Sequence, residues 1–535
     1  MGRRPRRSRS RALAALIAAL PACELSHPLS VFADAGDATA RADLVDAATT
    51  LDLPEVPTVD TPIASDVPVT DVPMVSDVPV TDVPTVSDVP ITDVPMVSDV
   101  PIRDVPITDV PITDVPPPTD VVAPRDVPVT IDVPAPQDVV NADVGCAAPS
   151  RACGGACVDV RSSLAHCGAC DSPCGTRCVD GRCQDVTAFA VGTAHTCAIL
   201  RAGRLHCWGT NAQGQVGNGA TANQLRPAAI EGIDVSEISL GANHSCAVLR
   251  DGTVRCWGDN ANGRLGDGTN IARRTPTAVT GLPRPATQVA CGDNFTCARL
   301  DDGTLRCWGA GNEGQLGDGA MMERRAPVLV TTITEVRAVS AGRDFACALL
   351  ASGLPYCWGH NDHGQLGDGS MAMNRATPTL VMGLTEVTHL AAADDHTCAL
   401  RADGSAWCWG ENNENQLGDG SSAARRSPVR VEGLTGVRAV ALGCGGNQCC
   451  VALADGAVRC WGDNAGAQLG DGTTTDRGVA TPVPGLTGVS RVGTRGTGTT
   501  CALRGATLLC WGLNGGGQLG DGTTSQRLAP APVVF

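Results

Sequence analysis

The chain has 535 residues with a formal net charge of −16, and it contains 26 cysteines and 63 glycines. All 40 basic residues are arginine, which excludes phosphate loops and Schiff-base chemistry that depend on lysine. The folded part carries no basic surface of the kind that binds nucleic acid. The sequence holds no His-Glu-x-x-His or Gly-x-Ser-x-Gly motif, and we expect neither a cofactor nor catalysis.

Residues 1–23 have the features of an export signal. Six arginines precede an apolar run at residues 12–20, which is too short to span a bilayer. The following Leu-Pro-Ala-Cys resembles the lipoprotein box of bacteria, which implies lipidation at Cys23. The alternative is an ordinary signal peptide with an incidental cysteine. We expect an exported protein of the cell envelope, an outer-membrane or surface lipoprotein, or otherwise a secreted protein.

Residues 24–145 are predicted to form a disordered, extended stalk. From Val56 to Asp143 the sequence mostly repeats Ser/Thr-Asp-Val-Pro. Frequent prolines remove backbone donors and favour extended geometry, and few large side chains are available for a core. Residues 34–145 hold 22 acidic and three basic residues, so the negative charge belongs mainly to this stalk.

Residues 146–185 are predicted to be a small disulfide-rich module. A segment this short cannot build a large core, so cross-links must hold it. Cys167-Gly-Ala-Cys170 also has zinc-knuckle spacing, but disulfides are favoured behind an export signal. Eight cysteines allow 105 pairings, and we assign none. The pattern resembles the stigma-specific cysteine-rich family, which implies a disulfide module. The cysteines are Cys146, Cys153, Cys157, Cys167, Cys170, Cys174, Cys178 and Cys183.

Residues 186–535 contain a sevenfold repeat of about 50 residues. Such a period is typical of a repeat architecture, and four short strands per unit predict a propeller blade. We therefore predict an all-β, seven-bladed β-propeller of four-stranded blades, monomeric in solution. The repeated Cys-Trp-Gly begins at Cys207, Cys256, Cys307, Cys357, Cys408, Cys460 and Cys510.

Each repeat contains two cysteines that are predicted to form a cross-strand disulfide. A three-residue turn at residues 250–252 places Cys246 opposite Cys256 at a non-hydrogen-bonded pair, within disulfide reach. The last hairpin has a two-residue turn and a spacing shorter by one, which keeps Cys501 opposite Cys510. The alternative is seven pairs of buried thiols. The predicted pairs are Cys197–Cys207, Cys246–Cys256, Cys297–Cys307, Cys347–Cys357, Cys398–Cys408, Cys450–Cys460 and Cys501–Cys510.

The two ends of the repeat region predict how the ring closes. Residues 186–191 match the second strand of the unit, and residues 532–535 match its first strand. We therefore predict a blade of three N-terminal strands plus one C-terminal strand, which would leave no free sheet edge at the junction.

The segment from Gly241 to Gly266, with His-Ser-Cys-Ala-Val-Leu-Arg-Asp-Gly-Thr-Val-Arg-Cys-Trp-Gly at its centre, resembles the regulator of chromosome condensation repeat. The resemblance implies a seven-bladed propeller that acts as a binding scaffold. The founding member exchanges guanine nucleotide on a small nuclear GTPase, and a secreted bacterial member docks one face of its disc on β-lactamases. The two extra cysteines of every repeat depart from the family pattern and suit an oxidising compartment.

Most repeated polar residues are predicted to be structural. The tryptophans point away from the cysteines, so we expect them to pack between sheets rather than stack on a ligand. His195, His244 and His396 share one repeat position. His360 and His363 break the repeat and could hold a metal, but a solvated loop is favoured and we assign no metal.

Aspartates and arginines form two further sets of residues that recur in or after the glycine-rich loops. Aspartate next to glycine is a turn former, which we favour over calcium binding. An arginine follows each of these segments. We favour local pairing of each arginine with a loop aspartate or carbonyl over a ring of seven arginines that binds an anionic partner. The first set is Asn218, Asp267, Asp318, Asp368, Asp419, Asp471 and Asp521. The second set is Arg226, Arg274, Arg325, Arg375, Arg426, Arg477 and Arg527.

Binding specificity is expected where the repeats differ, in the residue that follows each Trp-Gly. If these loops share one rim of the disc, they form a partner face. The residues are Thr210, Asp259, Ala310, His360, Glu411, Asp463 and Leu513.

Three cysteines of the repeat region lie outside the hairpin pairs. Cys444 and Cys449 are placed to pair with each other. Cys291 would then be a lone thiol, available for an intermolecular bond.

The expected function is binding of a protein, peptide or glycan outside the cell by a lipid-anchored propeller. The alternatives are an exchange-factor-like regulator, an enzyme with a site on the rim or in the channel, and a structural envelope component. An enzyme would need paired carboxylates or clustered histidines at positions that break the repeat, and we find neither there.

Overall fold

The computed structural model describes residues 146, 150–154, 156–370, 373–496 and 498–535. The predicted export signal, its Cys23 lipidation site and the stalk lie outside these residues. Among the described residues, no helix is long and apolar enough to cross a membrane.

Seven four-stranded antiparallel sheets make up residues 186–532, as predicted for a seven-bladed propeller. Each sheet uses four strands in chain order. The innermost strands are Val186–Val191, Val235–Leu240, Ala286–Cys291, Val336–Ala341, Val387–Ala392, Ala439–Gly445 and Val489–Arg495. The second strands are His195–Leu200, His244–Leu249, Phe295–Leu300, Phe345–Leu350, His396–Arg401, Gln448–Leu453 and Thr499–Arg504. The third strands are Arg204–Gly209, Val254–Gly258, Leu305–Gly309, Pro355–His360, Ala406–Gly410, Val458–Gly462 and Thr507–Gly512. The outermost strands are Gln224–Ile230, Arg273–Ala278, Arg324–Leu329, Asn374–Leu380, Arg425–Arg430, Arg477–Pro482 and Arg527–Pro532. A short 3₁₀ turn, Arg201–Gly203, joins two strands of blade 1.

The order of strands from the axis outward follows from burial. The innermost strand of each blade contacts the innermost strand of the next, and blade 7 returns to blade 1. The outermost strands alternate between exposed and half-buried residues and carry proline, as at Pro276 and Pro327. Proline has no N–H to give to a ladder, so it suits the edge strand.

The predicted closure of the ring by three strands plus one is wrong. Residues 186–191 open a complete blade 1, and Arg527–Pro532 is the outermost strand of blade 7. The proline-bearing segment pairs with the hairpin that precedes it rather than with the next repeat, which makes every blade continuous in sequence.

Side-chain packing closes the ring instead. Trp208 of blade 1 donates its Nε1 proton to the Gln518 carbonyl of blade 7 at 2.8 Å. The chain end adds to this junction, since the Phe535 ring lies edge-on 5.8 Å from Trp208. Val533 and Phe189 belong to the same apolar cluster.

The hairpin register and its disulfides are confirmed. Cys246 lies opposite Cys256 and Val248 opposite Val254, and Gly252 has a φ of 79°. Cys501 lies opposite Cys510 despite the shorter turn. All seven predicted pairs form disulfides, with Cα separations of 4.0–4.1 Å.

Blade 6 has an additional disulfide between Cys444 and Cys449, as predicted. Cys291 stands outside the disulfides as a fully buried thiol, with its Sγ 3.3 Å from the Ser239 carbonyl oxygen. The prediction that Cys291 is available for an intermolecular bond is therefore wrong, because a partner thiol cannot reach it.

The seven repeated tryptophans pack between adjacent blades, as predicted. Each is fully buried, and each indole N–H donates to a carbonyl in the glycine-rich loop of the preceding blade. Each bond satisfies a buried donor and ties two sheets together. Around the ring the bonds run from Trp208 to Gln518, Trp257 to Gln215, Trp308 to Arg264, Trp358 to Gln315, Trp409 to Gln365, Trp461 to Gln416 and Trp511 to Gln468.

The cysteine-rich module is held by four disulfides, which join Cys146–Cys157, Cys153–Cys170, Cys167–Cys178 and Cys174–Cys183. Its strands are Arg151–Cys153, Ala156–Val158, Cys178–Val179 and Arg182–Cys183. The predicted use of these cysteines in disulfides is confirmed.

The module is attached to blade 1. The Asp185 carboxylate accepts the backbone N–H groups of Gly175 and Thr176 at 3.0 and 2.8 Å and pairs with Arg201 at 3.0 Å. The Arg204 guanidinium donates to the Cys183 carbonyl. These contacts involve the turn between the second and third strands, so the module lies at that end of the disc.

Candidate functional site

The disc has two unlike faces. We call one the hairpin face, because it carries the tight turns between second and third strands, such as residues 301–304. The other is the loop face, which carries the turns after the innermost strands and the long loops between third and outermost strands, such as residues 310–323. The module contacts the hairpin face, through Arg201 and the turn at Ala506.

All seven predicted partner-binding residues lie in one ring on the loop face. Each donates its backbone N–H to the inner turn of its own blade, as Asp259 does to Asn243. Ala310 is buried, and the other six are partly exposed. The ring contains Thr210, Asp259, Ala310, His360, Glu411, Asp463 and Leu513. Their shared position agrees with the sequence analysis, and their role in binding stays a prediction.

Several members of this ring are tied to the next blade through one repeated side chain. The Gln365 amide nitrogen lies 3.2 Å from His360 Nδ1 and 3.5 Å from Asp395 of blade 5. In blade 2 an arginine takes the place of this glutamine, and Arg264 pairs with Asp259 at 3.1 Å. The ring is therefore rigidly positioned.

Carboxylates gather inside this ring, near the axis. Asp293, Asp344, Asp394 and Asp395 occupy the inner turns of blades 3, 4 and 5. Asp395 pairs with Arg343 at 2.6 Å, and the two carboxylate oxygens of Asp293 have no hydrogen-bond partner among the described residues. The sequence analysis found no converging carboxylates, and it was wrong on this point because only the ring brings the turns together.

Burial dominates the electrostatics of this cluster. It raises the pKa of Asp394 to about 7, with Arg343 opposing the shift and Asp395 adding to it. The pKa of Asp293 is raised well above its usual range, also by burial, against the charge of Arg495. A carboxyl group that is buried without a bonded partner favours its neutral form, so the buried members of this cluster carry less negative charge than four ionised carboxylates would.

Arg495 is a buried cation close to this cluster, as its effect on the pKa of Asp293 shows, and it was not predicted from the sequence. It is fully buried, and its Nη1 lies 3.4 Å from the Cys291 carbonyl oxygen of blade 3. Blade 3 has Gly292 at the position that Arg495 occupies in blade 7. A Cβ atom at Gly292 would lie 2.0 Å from the Phe295 ring. In blade 7 the ring is replaced by Thr499, which leaves room for an arginine. The departure from glycine was the signal in the sequence.

An apolar arc lies outside the carboxylates on the same face. Ile271, Met321, Met322 and Met373 are 53–67% exposed and precede the outermost strands of blades 2, 3 and 4. Exposed large apolar side chains that cluster on adjacent loops are a feature of interaction sites. The sequence analysis did not single them out, because the residues are far apart in the chain.

The repeated histidines are structural, as predicted. His195 and His244 are fully buried, and each Nε2 lies 2.9 Å from a hydroxyl of the next blade, Ser245 and Thr296 respectively. Burial lowers the pKa of His195 to about 3, with Arg495 adding to the effect.

The repeated aspartates pair with arginines, which favours the structural alternative to calcium. Burial alone would raise the pKa of Asp267, but hydrogen bonds from Thr269 and Arg273 outweigh it and lower the pKa. The pairs are Asp267–Arg273, Asp318–Arg324, Asp368–Arg375, Asp419–Arg425, Asp471–Arg477 and Asp521–Arg527, at 2.5–3.0 Å.

The prediction of local pairing is correct for Arg375, Arg477 and Arg527, which pair with the loop aspartate. It also holds for Arg325, which pairs with Glu323 at 2.9 Å. In blades 2, 3 and 5 two arginines are adjacent, and the first of them forms the pair. The stems of Arg274, Arg325 and Arg426 pack against glycines in the loop of the preceding blade, and no ion pair of Arg274 or Arg426 is found among the described residues. Arg226 in blade 1 is exposed, and Asn218 there offers no carboxylate.

Comparison with known proteins agrees with this architecture. Residues 231–535 match the family model of the RCC1-like domain. Residues 202–248 and 186–215 match models of the regulator of chromosome condensation (RCC1) repeat.

Two relatives each match about half of this chain. The chain is 32% identical over 292 residues to the human E3 ubiquitin-protein ligase HERC2, covering 54% of this chain and 4% of that protein. It is 30% identical over 298 residues to the ultraviolet-B receptor UVR8 of Arabidopsis thaliana, covering 55% of this chain and 56% of the receptor. The chain thus spans about half of one relative and a small part of the other.

Solved structures share the fold. Human WBSCR16 superimposes with a TM-score of 0.57 at 25% identity, over 63% of this chain and 94% of that one. Yeast RCC1 (Prp20), solved bound to Kap60, gives a TM-score of 0.57 at 20% identity, over 66% and 85%. With the family model covering more than half of its length and all seven blades in place, the chain belongs to the RCC1-like domain family.

Proposed function

We propose that this protein is an exported, lipid-anchored binding scaffold whose loop face recognises a polypeptide carrying basic and apolar side chains. The observation that carries the proposal is the pairing of two features on one face. Half-buried or exposed acidic groups such as Asp362 and Glu411 lie on the loop face of blades 4 and 5, and the apolar arc lies on the same face of blades 2, 3 and 4.

The chemistry of the face favours this partner class. Methionine side chains are flexible and polarisable and adapt to varied apolar partners. Carboxylates attract basic side chains and orient them as they approach. A glycan would offer neither positive charge nor aliphatic side chains, so a polypeptide fits better.

The position of the module also supports use of the loop face. The chain enters the propeller from the module, which contacts the hairpin face. The loop face is therefore left uncovered by the module. Among similar proteins, yeast Prp20 is described as bound to Kap60 and as having binding properties to Gsp1p and histones, which are protein partners.

An enzyme with a site in the channel is the less favoured alternative. Carboxylates converge at the axis, as hydrolytic chemistry often requires. Asp293 and Asp394 are 1% and 7% exposed, however, and a substrate could not reach them without opening the turns.

The test uses the full-length protein and arrays of synthetic peptides and glycans. We expect micromolar binding by peptides that combine arginine or lysine with leucine or phenylalanine, weakened by salt because charge contributes. The triple variant Ile271→Ser, Met322→Ser, Met373→Ser should lose at least roughly tenfold in affinity, which corresponds to about 1.4 kcal/mol.

The matched control changes exposed apolar residues on the hairpin face, Leu329→Ser with Leu380→Ser. This variant should bind as the unchanged protein does. Binding that is lost equally in both variants, or a preference for acidic peptides or glycans, would contradict the proposal. Replacing His360, Glu411 and Asp463 together should also weaken capture without lowering thermal stability.

A further inference from the structure

We propose that His360, Asp362, His363 and Asp395 form a binding site for one divalent transition-metal ion, between blades 4 and 5 on the loop face. Ligand atoms of His360, Asp362 and Asp395 all lie within 4.8 Å of one another. His363 joins them through Asp362, whose second oxygen lies 3.6 Å from His363 Nε2. Two imidazoles and two carboxylates are thus assembled from one loop and the neighbouring turn.

One distance between ligand atoms already suits a tetrahedral ion. Zinc–nitrogen and zinc–oxygen bonds of about 2.0–2.1 Å place two tetrahedral ligands roughly 3.3–3.4 Å apart. His360 Nδ1 lies 3.4 Å from Asp362 Oδ1, close to that separation. The pair therefore needs only small side-chain rotations to hold an ion.

The donor set selects the kind of ion. Imidazole nitrogen suits zinc, copper, nickel and iron, whereas calcium and magnesium are held by oxygen. A site with two histidines and two aspartates favours zinc among the common divalent ions. Its two negative charges would be offset by the ion, which also relieves the repulsion between Asp362 and Asp395.

The buried end of the site is already positioned. Asp395 is 4% exposed, and one of its oxygens is held by Arg343 at 2.6 Å. The other oxygen accepts from the Gln365 amide, which also lies 3.2 Å from His360 Nδ1. The amide N–H group thus occupies the space between two acceptors, and we infer that the ion replaces it there.

The site breaks the repeat. The matching loop residues of blade 2 are Asp259, Ala261 and Asn262, and the matching turn residue is Asn294 in blade 3. The asparagine that follows His360 is common to all blades except blade 3, which has Gly311 there. The substitutions are therefore confined to the side chains that would contact an ion, and they are not needed for the turn.

The experiment measures zinc binding to the full-length, metal-stripped protein by isothermal titration calorimetry, and cobalt binding by visible absorption. We expect one zinc ion per chain and the intense d–d bands of tetrahedral cobalt. His363→Ala and Asp362→Asn should each weaken binding at least roughly tenfold. Both side chains are partly exposed, and circular dichroism without metal checks that the variants remain folded.

The matched control is His166→Ala, which removes a different histidine–aspartate pair, in which His166 lies 3.7 Å from Asp171. It should leave zinc binding unchanged, because His166 and Asp171 belong to no group of three or more potential metal ligands among the described residues. The proposal is overturned if the unchanged protein binds no stoichiometric zinc, or if a His360→Ala, His363→Ala double variant binds it equally well. A failure of peptide binding leaves this result unaffected, since zinc is measured alone.

Discussion

Buried ionisable residues give this disc two opposing responses to pH. Asp394 has a pKa raised from 3.8 to about 7 by burial, so the unfolded chain releases its proton long before the folded chain does. Its stability contribution is complete below about pH 4 and is lost as the pH rises toward 7. His195 and His396, with pKa values lowered to about 3 by burial, act oppositely and lose stability as the pH falls below about 6.5.

The variant Asp394→Asn separates these two effects. It should raise the melting temperature at pH 8, because the cost of ionising the buried carboxyl disappears, with an upper bound of about 4 kcal/mol. At pH 4 the melting temperature should be nearly unchanged, since both side chains are then neutral. Calorimetry at the two pH values measures this.

The control for that variant is Asp455→Asn, which changes an exposed aspartate on the hairpin face. It should have little effect at either pH. If Asp394→Asn instead lowered stability at pH 8, the carboxylate would be acting as a favourable charged partner in the folded chain.

At the scale of elements, the hairpin was the most predictable part of the fold. The hairpins that contain Cys256 and Cys510 have turns of different length but the same cross-strand register. This agreement allowed the cysteine pairing to be predicted from the sequence. Which four consecutive strands form one blade could not be determined in this way. The segment around Pro276 lies between two hairpins and can pair with either in a repeating sequence, and only its exposure shows that it is an outer edge.

The candidate site was less predictable than the hairpins. Residues of the loop-face ring, such as Glu411, were predicted from the sequence because they vary among the repeats. Asp293, Arg495 and Met322 were not predicted, because their significance depends on which turns the closed ring of blades brings together. A glycine position occupied by Arg495 was readable in the sequence, but its reach across the axis was not.

Each hairpin disulfide should contribute measurably to stability. Cys246→Ala with Cys256→Ala should lower the unfolding free energy by about 2–3 kcal/mol, because a cross-link over ten residues restricts the unfolded chain. Chemical denaturation under non-reducing conditions measures the loss.

Cys291→Ala serves as the comparison for that double variant. It removes a buried sulfur atom and no cross-link, so its cost should be smaller. An equal cost per sulfur in both variants would mean that packing, and not the cross-link, provides the stabilisation.

For the whole molecule, closure of the ring depends on packing between blades 7 and 1. Deleting residues 533–535 removes Phe535 from Trp208 and the bond from the Val533 N–H to the Leu508 carbonyl, 2.9 Å long. The deletion should cost about 1–3 kcal/mol and expose the Trp208 indole to fluorescence quenchers. Val534→Ala, at an exposed position, should do neither.

A closed, disulfide-bonded disc with the module in contact with its hairpin face leaves the loop face open for the recognition that we propose. The rigidity of the disc matters because the loops of a pre-formed surface need little ordering on binding, so little binding free energy is lost. Under this proposal the loops that vary among the blades would distinguish partners, while the repeated tryptophans and cysteines maintain the scaffold.

Hydrogen–deuterium exchange with the best-binding basic, apolar peptide tests the central claim most directly. The account predicts slower exchange in the loop-face segments 310–323, 360–363 and 411–414, with no change in the hairpin-face turns 250–253, 301–304 and 402–405. Protection confined to the hairpin-face turns, or spread equally over both faces, would contradict it.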